Sequence, residues 1–142
     1  MTGRHRVRIG LGAASFAVAL LGAGCLLPSA PVSGAQLSNS PTVANFPSSP
    51  SPFGYMPNIQ ITVTNTGTHP VDNLHGQPIG VFSIPSQTCT STLGTGQSCS
   101  YSVQFCPGAV GPYSDPFVVS GDDAVTGTPV SATTQLSGIG TP

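Results

Sequence analysis

Residues Asn58–Asn65 read NIQITVTN, and apolar side chains alternate with polar ones along this stretch. Ile59, Ile61 and Val63 fall on one side of an extended chain, and the Gln and Thr residues between them fall on the other. Successive side chains of a β-strand point to opposite faces, so this period of two predicts a strand with one buried face and one solvated face.

A second stretch, Ser98–Phe105, reads SCSYSVQF and has the same period. Its predicted buried side chains are Cys99, Tyr101, Val103 and Phe105. Weaker apolar runs predict further strands over 81–84, 117–119 and 130–136. Turn-forming residues punctuate these runs at 65–67, 94–96, 107–108 and 121–123. Residues 53–142 show no helical periodicity free of Gly and Pro, so we expect an all-β fold, an antiparallel β-sandwich.

Positive charge is confined to the start of the chain, at Arg4, Arg6 and Arg8. The remainder contains no Lys, Arg or Glu, and its carboxylate side chains are Asp72, Asp115, Asp122 and Asp123. Nucleic acids and anionic lipid headgroups are bound largely through Lys and Arg, so the composition excludes both as partners of the folded part. Ser, Thr and Gln occupy the outward positions instead, so we expect folding stability that hardly depends on salt.

The N-terminus is typical of an exported protein. Three arginines precede an apolar run over 9–27, and small residues continue to Ala35, which together indicate a signal peptide over residues 1–35. We expect cleavage after Ala35, because Ser33 and Ala35 place small side chains at the third-last and last positions before the cut. The protein is therefore expected to be secreted or held at the cell surface.

Two other outcomes of export remain open. The apolar run approaches the ~20 residues that span a bilayer, so the segment could remain uncleaved as a membrane anchor. The sequence LGAGC at 21–25 resembles a bacterial lipobox, in which Cys25 would carry the lipid of a lipoprotein, although Gly22 departs from the aliphatic residue of that pattern. Membrane attachment is expected only through this segment or through a lipid on Cys25.

Residues 36–52 read QLSNSPTVANFPSSPSP and are rich in Pro and Ser. This composition disfavours a helix or a buried core, so it predicts an extended spacer ahead of one folded domain over residues 53–142. The spacer would act either as a stalk that holds the domain off a surface or as a plain disordered leader.

Several motifs resemble bacterial immunoglobulin-like domains of the ASPM-SPD-2-Hydin (ASH) type, which also occur in choice-of-anchor D proteins. The resemblance rests on QITVTNTG at 60–67, on Cys89 before a Gly-rich loop, on Ser98-Cys99 and on LSGIG at 136–140. Phe53-Gly54 matches the entry strand, whereas Cys106-Pro107 departs from the usual pattern. The resemblance implies an immunoglobulin-like sandwich of about seven strands. It also implies a surface or scaffold module without shared catalytic residues.

Three cysteines follow the signal segment, at positions 89, 99 and 106, and export favours disulfide formation. Cys99 and Cys106 lie at opposite ends of one predicted strand, about 23 Å apart at ~3.3 Å per residue. A disulfide requires Cα atoms closer than about 7 Å. The Cys99–Cys106 pair is therefore excluded. We expect a Cys89–Cys99 bond, because it closes a short loop with Gly94 and Gly96 at its bend and Leu93 as a plug inside, and Cys89–Cys106 is the alternative. Cys106 is then an unpaired thiol, half-buried or bonded to a second copy.

Residues for site chemistry are scarce. His69, Asp72 and His75 are weak candidates for a zinc site, because Pro70 excludes the regular helix that would bring this spacing onto one face. A polar hairpin turn is favoured over a calcium site at Asp122-Asp123, because calcium takes six to eight oxygen ligands. No Ser lies in a Gly-x-Ser-x-Gly motif and no Glu is present, so we expect no catalytic residues, no metal and no cofactor.

Together these features predict an exported, non-enzymatic, immunoglobulin-like module for binding or structural interaction. Its partner would be an unknown protein, a cell-wall polymer or a second copy that pairs along an edge strand. Exposed aromatic residues would contact the partner, and the candidates are Tyr55, Tyr113 and Phe117, although such residues are more often core residues in a sandwich this small. The alternative function is a small secreted metal-binding protein or hydrolase that uses His69, Asp72 and His75.

Overall fold

The computed structural model describes residues 33–52, 56–77 and 79–142. The predicted signal peptide lies outside these residues up to position 32, including its arginines and Cys25, and Phe53, Gly54 and Tyr55 also lie outside them. Within them the fold is all-β, and no helix is long and apolar enough to cross a membrane. The strands are β1 Leu37–Ser40, β2 Val43–Asn45, β3 Ser49–Pro50, β4 Asn58–Asn65, β5 Val71–Gly76, β6 Phe82–Gln87, β7 Ser98–Phe105, β8 Gly111–Asp123 and β9 Pro129–Thr141.

The first sheet has the strand order β1-β4-β7-β6, and all of its pairs are antiparallel. Its two central strands, β4 and β7, have the bounds that the alternating pattern predicts. Ile61 and Val63 are fully buried, and Tyr101 and Phe105 face the same core from β7. The period-two prediction is therefore confirmed for both strands, because each has one face against the core.

The second sheet has the order β2-β9-β8-β5, and β3 also pairs with β9. Strands β8 and β9 pair along nearly their whole length, far beyond the short runs predicted at 117–119 and 130–136. The prediction was too short because Gly, Pro and Ser dilute the apolar alternation toward the ends of both strands. Residues 121–123 end β8 instead of forming a turn, and the reversal follows them, where the amide of Gly127 donates to the carbonyl of Asp123 at 2.7 Å.

The prediction that residues 36–52 form an extended spacer outside the folded domain is wrong, because this segment contributes three strands. β1 pairs antiparallel with β4, whereas β2 and β3 run parallel to β9, so the sandwich is not wholly antiparallel. Leu37, Ala44 and Phe46 are buried in the core. Pro and Ser obscure these strands in the sequence because an edge strand needs only alternate apolar residues and tolerates proline where no ladder donor is required. The folded domain thus extends well upstream of residue 53.

The core lies between the two sheets and centres on packed aromatic rings. Phe105 has its ring centroid 5.2 Å from Phe82, 5.8 Å from Phe46 and 5.7 Å from Tyr113. Gly138 on β9 leaves room for this cluster, because a Cβ there would lie 2.6 Å from the Phe105 ring. These rings join β6 and β7 of the first sheet to β8 of the second. The alternating pattern predicts that the side chains of Phe82 and Phe105 point into the core, and both are almost completely buried.

The predicted disulfide between Cys89 and Cys99 is confirmed, with a Cα–Cα distance of 4.9 Å. Leu93 fills the loop that this bond closes and is 4% exposed. Its backbone exchanges two hydrogen bonds of 2.9 Å with Val71 at the start of β5, which ties the loop to the other sheet. Cys106 is a free thiol of intermediate exposure.

Candidate interaction surface

The weak metal candidates are not brought together. His69 lies in the loop before β5 and turns toward Asp123, while the Nδ1–H of His75 donates to the backbone carbonyl of Asn73 at 2.7 Å. Asp72 lies across from Asp122 on β8. A bulge at Asn73, whose φ is +54°, breaks the register between Asp72 and His75. The described part of the chain contains no group of three or more His, Cys, Asp or Glu that could hold a metal ion.

Asp123 forms a hydrogen-bonded hub that the sequence did not reveal. Its Oδ2 accepts the backbone amide of Ala35 at 2.8 Å and the ring Nδ1–H of His69 at 3.0 Å. Its Oδ1 accepts the amides of Val125 at 2.8 Å and Thr126 at 3.1 Å. Burial raises the pKa of this carboxyl, but the hydrogen bonds from the three amides and from His69 outweigh it and hold the pKa below its usual range.

A carboxylate that orients an imidazole is also the arrangement of a hydrolase dyad, but a nucleophile must then lie within hydrogen-bond reach of the second ring nitrogen. Among the described residues the imidazole ring of His69 makes its hydrogen bonds through Nδ1 alone. The Asp123 oxygens already accept backbone amides from Ala35, ahead of β1, and from Val125 in the β8–β9 turn. The geometry is that of a structural clamp between the chain at Ala35, ahead of β1, and the β8–β9 turn.

The outward side of the first sheet is a face without ionisable side chains, which we call the neutral face. On β4 and β7 it consists of Gln60, Thr62, Thr64, Ser98, Ser100 and Ser102, and Ser86, Gln87 and Thr88 extend it at β6. The sequence predicts the β4 and β7 part from the polar half of the alternation. The extension over 86–88 depends on the pairing of β6 with β7, which local sequence does not specify.

Hydrogen bonds order these side chains across strands. The hydroxyls of Thr64 and Ser98 lie 2.7 Å apart, and the Gln60 amide donates to the Ser100 hydroxyl at 3.0 Å. Ser100 also contacts the hydroxyl of Thr88 at 3.1 Å. A depression of about 110 Å³ lies on this face, lined by Gln60, Ser86, Gln87, Thr88, Ser100 and Ser102. The face therefore presents hydroxyls and amides in a fixed array.

The aromatic residues expected to bind a partner do not form an exposed platform. Phe117 is 1% exposed and packs edge-on against Tyr101, with ring centroids 5.5 Å apart. Tyr113 packs against Phe105, and its hydroxyl donates to the carbonyl of Ala109 at 3.0 Å. Burial raises the pKa of the Tyr101 hydroxyl, and a hydrogen bond with the backbone of Gly76 opposes this rise. Tyr55 lies outside the described residues.

The two packed sheets form an immunoglobulin-like β-sandwich. The chain is similar to the ASH/PapD-like domain 7 of human CEP192, with a TM-score of 0.62 and 17% sequence identity, over 89% of this chain and 97% of that domain. At this identity the likeness establishes the fold. It bears out the immunoglobulin-like part of the ASH resemblance.

The chain is also similar to the VesB protease of Vibrio cholerae, with a TM-score of 0.60 and 26% identity over 73% of this chain. The match covers 32% of VesB, so this chain spans about a third of that protease. No family model matches the chain, and a comparison with curated proteins found no match.

Proposed function

We propose that this protein is an exported, non-enzymatic, immunoglobulin-like module that binds an uncharged, polyhydroxylated cell-wall polymer through the neutral face. The single observation that carries the proposal is the array of hydroxyl and amide side chains on the β4–β7–β6 surface. Export is supported by the arginine-led apolar N-terminus and by the Cys89–Cys99 disulfide, a bond that persists mainly in oxidising compartments. The choice-of-anchor D resemblance supports the same location.

A polymer rich in hydroxyls fits this surface better than a protein partner does. Protein interfaces draw most of their binding energy from buried Trp, Tyr and Arg side chains. The neutral face offers none of these, and the exposed large apolar residues within the described ranges all lie outside β1, β4, β6 and β7: Val43, Met56, Val110, Val125 and Ile139. Donors and acceptors without formal charge match a partner that also hydrogen-bonds without charge.

Catalysis by this chain is not supported by its geometry. The likeness to VesB covers about a third of that protease. Within the described residues no nucleophile hydrogen-bonds to the second ring nitrogen of His69, and Asp72 and His75 lie elsewhere on β5. We therefore infer that this domain functions by binding a partner. The protease activity is that of VesB, the larger protein.

Co-sedimentation of the purified exported protein with the insoluble wall polysaccharide of its own organism tests the proposal. Gln60→Glu replaces the side-chain amide by a carboxylate of nearly the same shape and so places a negative charge on the neutral face. It should weaken binding about tenfold, the ratio that corresponds to about 1.4 kcal/mol. Binding by the unaltered protein should change little with salt, because no ion pair contributes.

Gln135→Glu is the matched control. Gln135 lies on the outward side of β9 and donates to the Ser114 hydroxyl at 3.1 Å, much as Gln60 donates to Ser100. This variant should bind like the unaltered protein. Equal loss in both variants, no binding at all, or sedimentation of the protein without polymer would reject the neutral face as a polymer site; the last result would indicate self-association instead.

A further inference from the structure

Residues Gly34–Gln36, here called the entry segment, are built into the folded domain although the sequence places a signal-peptide cut directly inside them. The amide of Thr68 donates to the carbonyl of Gly34 at 2.8 Å, and the amide of Gly34 donates to the Thr68 hydroxyl at 3.0 Å. Next along the chain, the amide of Ala35 donates to Asp123, and the amide of Thr66 donates to the carbonyl of Gln36 at 2.8 Å. The backbone of all three residues is thus paired.

Two buried residues, Gly67 and Asn65, form the site against which this segment packs. A Cβ on Gly67 would lie 2.2 Å from the Gly34 carbonyl oxygen, so the turn after β4 accepts only glycine while the segment is in place. The side chain of Asn65 is fully buried and donates to the carbonyls of His69 at 2.8 Å and Leu93 at 3.1 Å. Its Oδ1 accepts the amide of Gly67 at 3.0 Å and faces the amide of Gln36 at 3.5 Å. The segment therefore packs on a prepared site at the end of β4.

A cut after Ala35 would dismantle part of this arrangement. Gly34 would no longer pair with Thr68, and the buried Oδ2 of Asp123 would lose its amide donor. A new charged amine would also begin at Gln36, beside the buried amide of Asn65. A buried acceptor left without its donor costs free energy that a solvated one does not. The segment is therefore a poor place for a signal peptidase to cut.

We propose that the exported protein retains Gly34–Gln36, so that any maturation cut falls upstream of Gly34. The proposal rests on the export that is itself proposed above. It replaces the cleavage after Ala35 that the small residues at 33 and 35 predict, because a pattern of small side chains carries no information about which residues the fold uses. Three outcomes leave the entry segment in place: a cut upstream of Gly34, retention of the whole leader in the exported protein, and lipidation at Cys25.

Intact mass of the protein recovered from the medium or the cell surface tests this directly. We expect an N-terminus at or before Gly34. A start at Ala35 or Gln36 overturns the inference and leaves export standing. Full-length protein retained inside the cell with Met1 attached overturns the proposed export, and the inference falls with it.

Ser33→Lys gives a second readout that does not depend on reading the terminus. Ser33 is exposed and would lie at the third-last position before a cut after Ala35, where a long charged side chain blocks the peptidase. We expect normal maturation of this variant, with a mass changed only by the substitution, as in the control Gln36→Lys, which lies after that cut. If the unaltered protein does not begin at Gly34, accumulation of precursor in the Ser33→Lys variant alone would place the cut after Ala35 and overturn the inference.

Discussion

The two sheets of this sandwich share one core but differ sharply in charge. Strands β1, β4, β6 and β7 carry no Asp, Glu, Lys, Arg or His, whereas β5 carries Asp72 and His75 and β8 carries Asp115, Asp122 and Asp123. The first sheet is stabilised by apolar burial, backbone pairing and the Cys89–Cys99 bond, none of which titrates in the acid range. The second depends in addition on a carboxylate that must be charged to accept its donors. Binding by the neutral face should therefore be separable from the pH dependence of folding.

The largest effect is expected where the two sheets meet. Phe105→Ala removes a fully buried ring from the aromatic cluster, and truncation of a core Phe costs about 3–5 kcal/mol. Because Phe105 contacts residues of both sheets, urea unfolding followed by circular dichroism should show one transition at lower denaturant. Ile139→Ala, at a residue 53% exposed, is the control and should change little. Two separated transitions would show that the sheets unfold independently.

Removal of the disulfide should weaken the first sheet next most strongly. Closing a loop of this size contributes about 3 kcal/mol by chain entropy. The double variant Cys89→Ser with Cys99→Ser should unfold at correspondingly lower urea, and Cys106→Ser should behave like the unaltered protein in the same assay. If reductant leaves the melting temperature of the unaltered protein unchanged, the bond contributes little and the packing of Leu93 suffices.

The charged hub should make the second sheet sensitive to acid. The folded-state pKa of Asp123 lies below the value of about 3.9 that an unfolded Asp has, so its stabilising effect is present above that value and is lost as pH falls toward the folded pKa. Asp123→Asn should lower the melting temperature at pH 7 and flatten its decline below about pH 4. Asp115→Asn removes the same charge without touching the hub and should cost less at pH 7. Equal melting temperatures for Asp123→Asn and the unaltered protein at pH 7 would contradict the clamp.

The smallest predicted change is a gain in the first sheet. Asn39 on β1 is 5% exposed, and neither its Oδ1 nor its Nδ2 has a hydrogen-bond partner among the described residues. Because an unpaired buried amide is costly and Val suits a strand, Asn39→Val should raise stability by about 1 kcal/mol. Asn45→Val is the control: it breaks the 2.6 Å bond from Ser137 and should give no gain. A loss of stability in Asn39→Val would indicate that an ordered water satisfies the amide.

Local pattern predicts the fold where one strand carries enough information by itself. β4 and β7 alternate without interruption, so their bounds, their inward faces and the polar half that becomes the neutral face follow from residue order alone. Strand length likewise rules out a bond between Cys99 and Cys106, but it leaves Cys89–Cys99 and Cys89–Cys106 open, and the structure decides for Cys89–Cys99. Local pattern does not predict the short strands β1, β2 and β3, because their Pro and Ser content resembles that of an unstructured spacer.

The sequence by itself determined an all-strand domain, the exclusion of a Cys99–Cys106 bond, and a composition in which residues 36–142 contain four aspartates, two histidines and no Lys, Arg or Glu. Only the tertiary structure decided that Asp123 meets Ala35 and His69, that the entry segment packs beside Gly67, and that β6 completes the neutral face. The physical reason is sequence distance. Alternation and turn propensity act over a few residues, whereas contacts such as the one between Ala35 and Asp123 join positions 88 apart and form only when two sheets pack together.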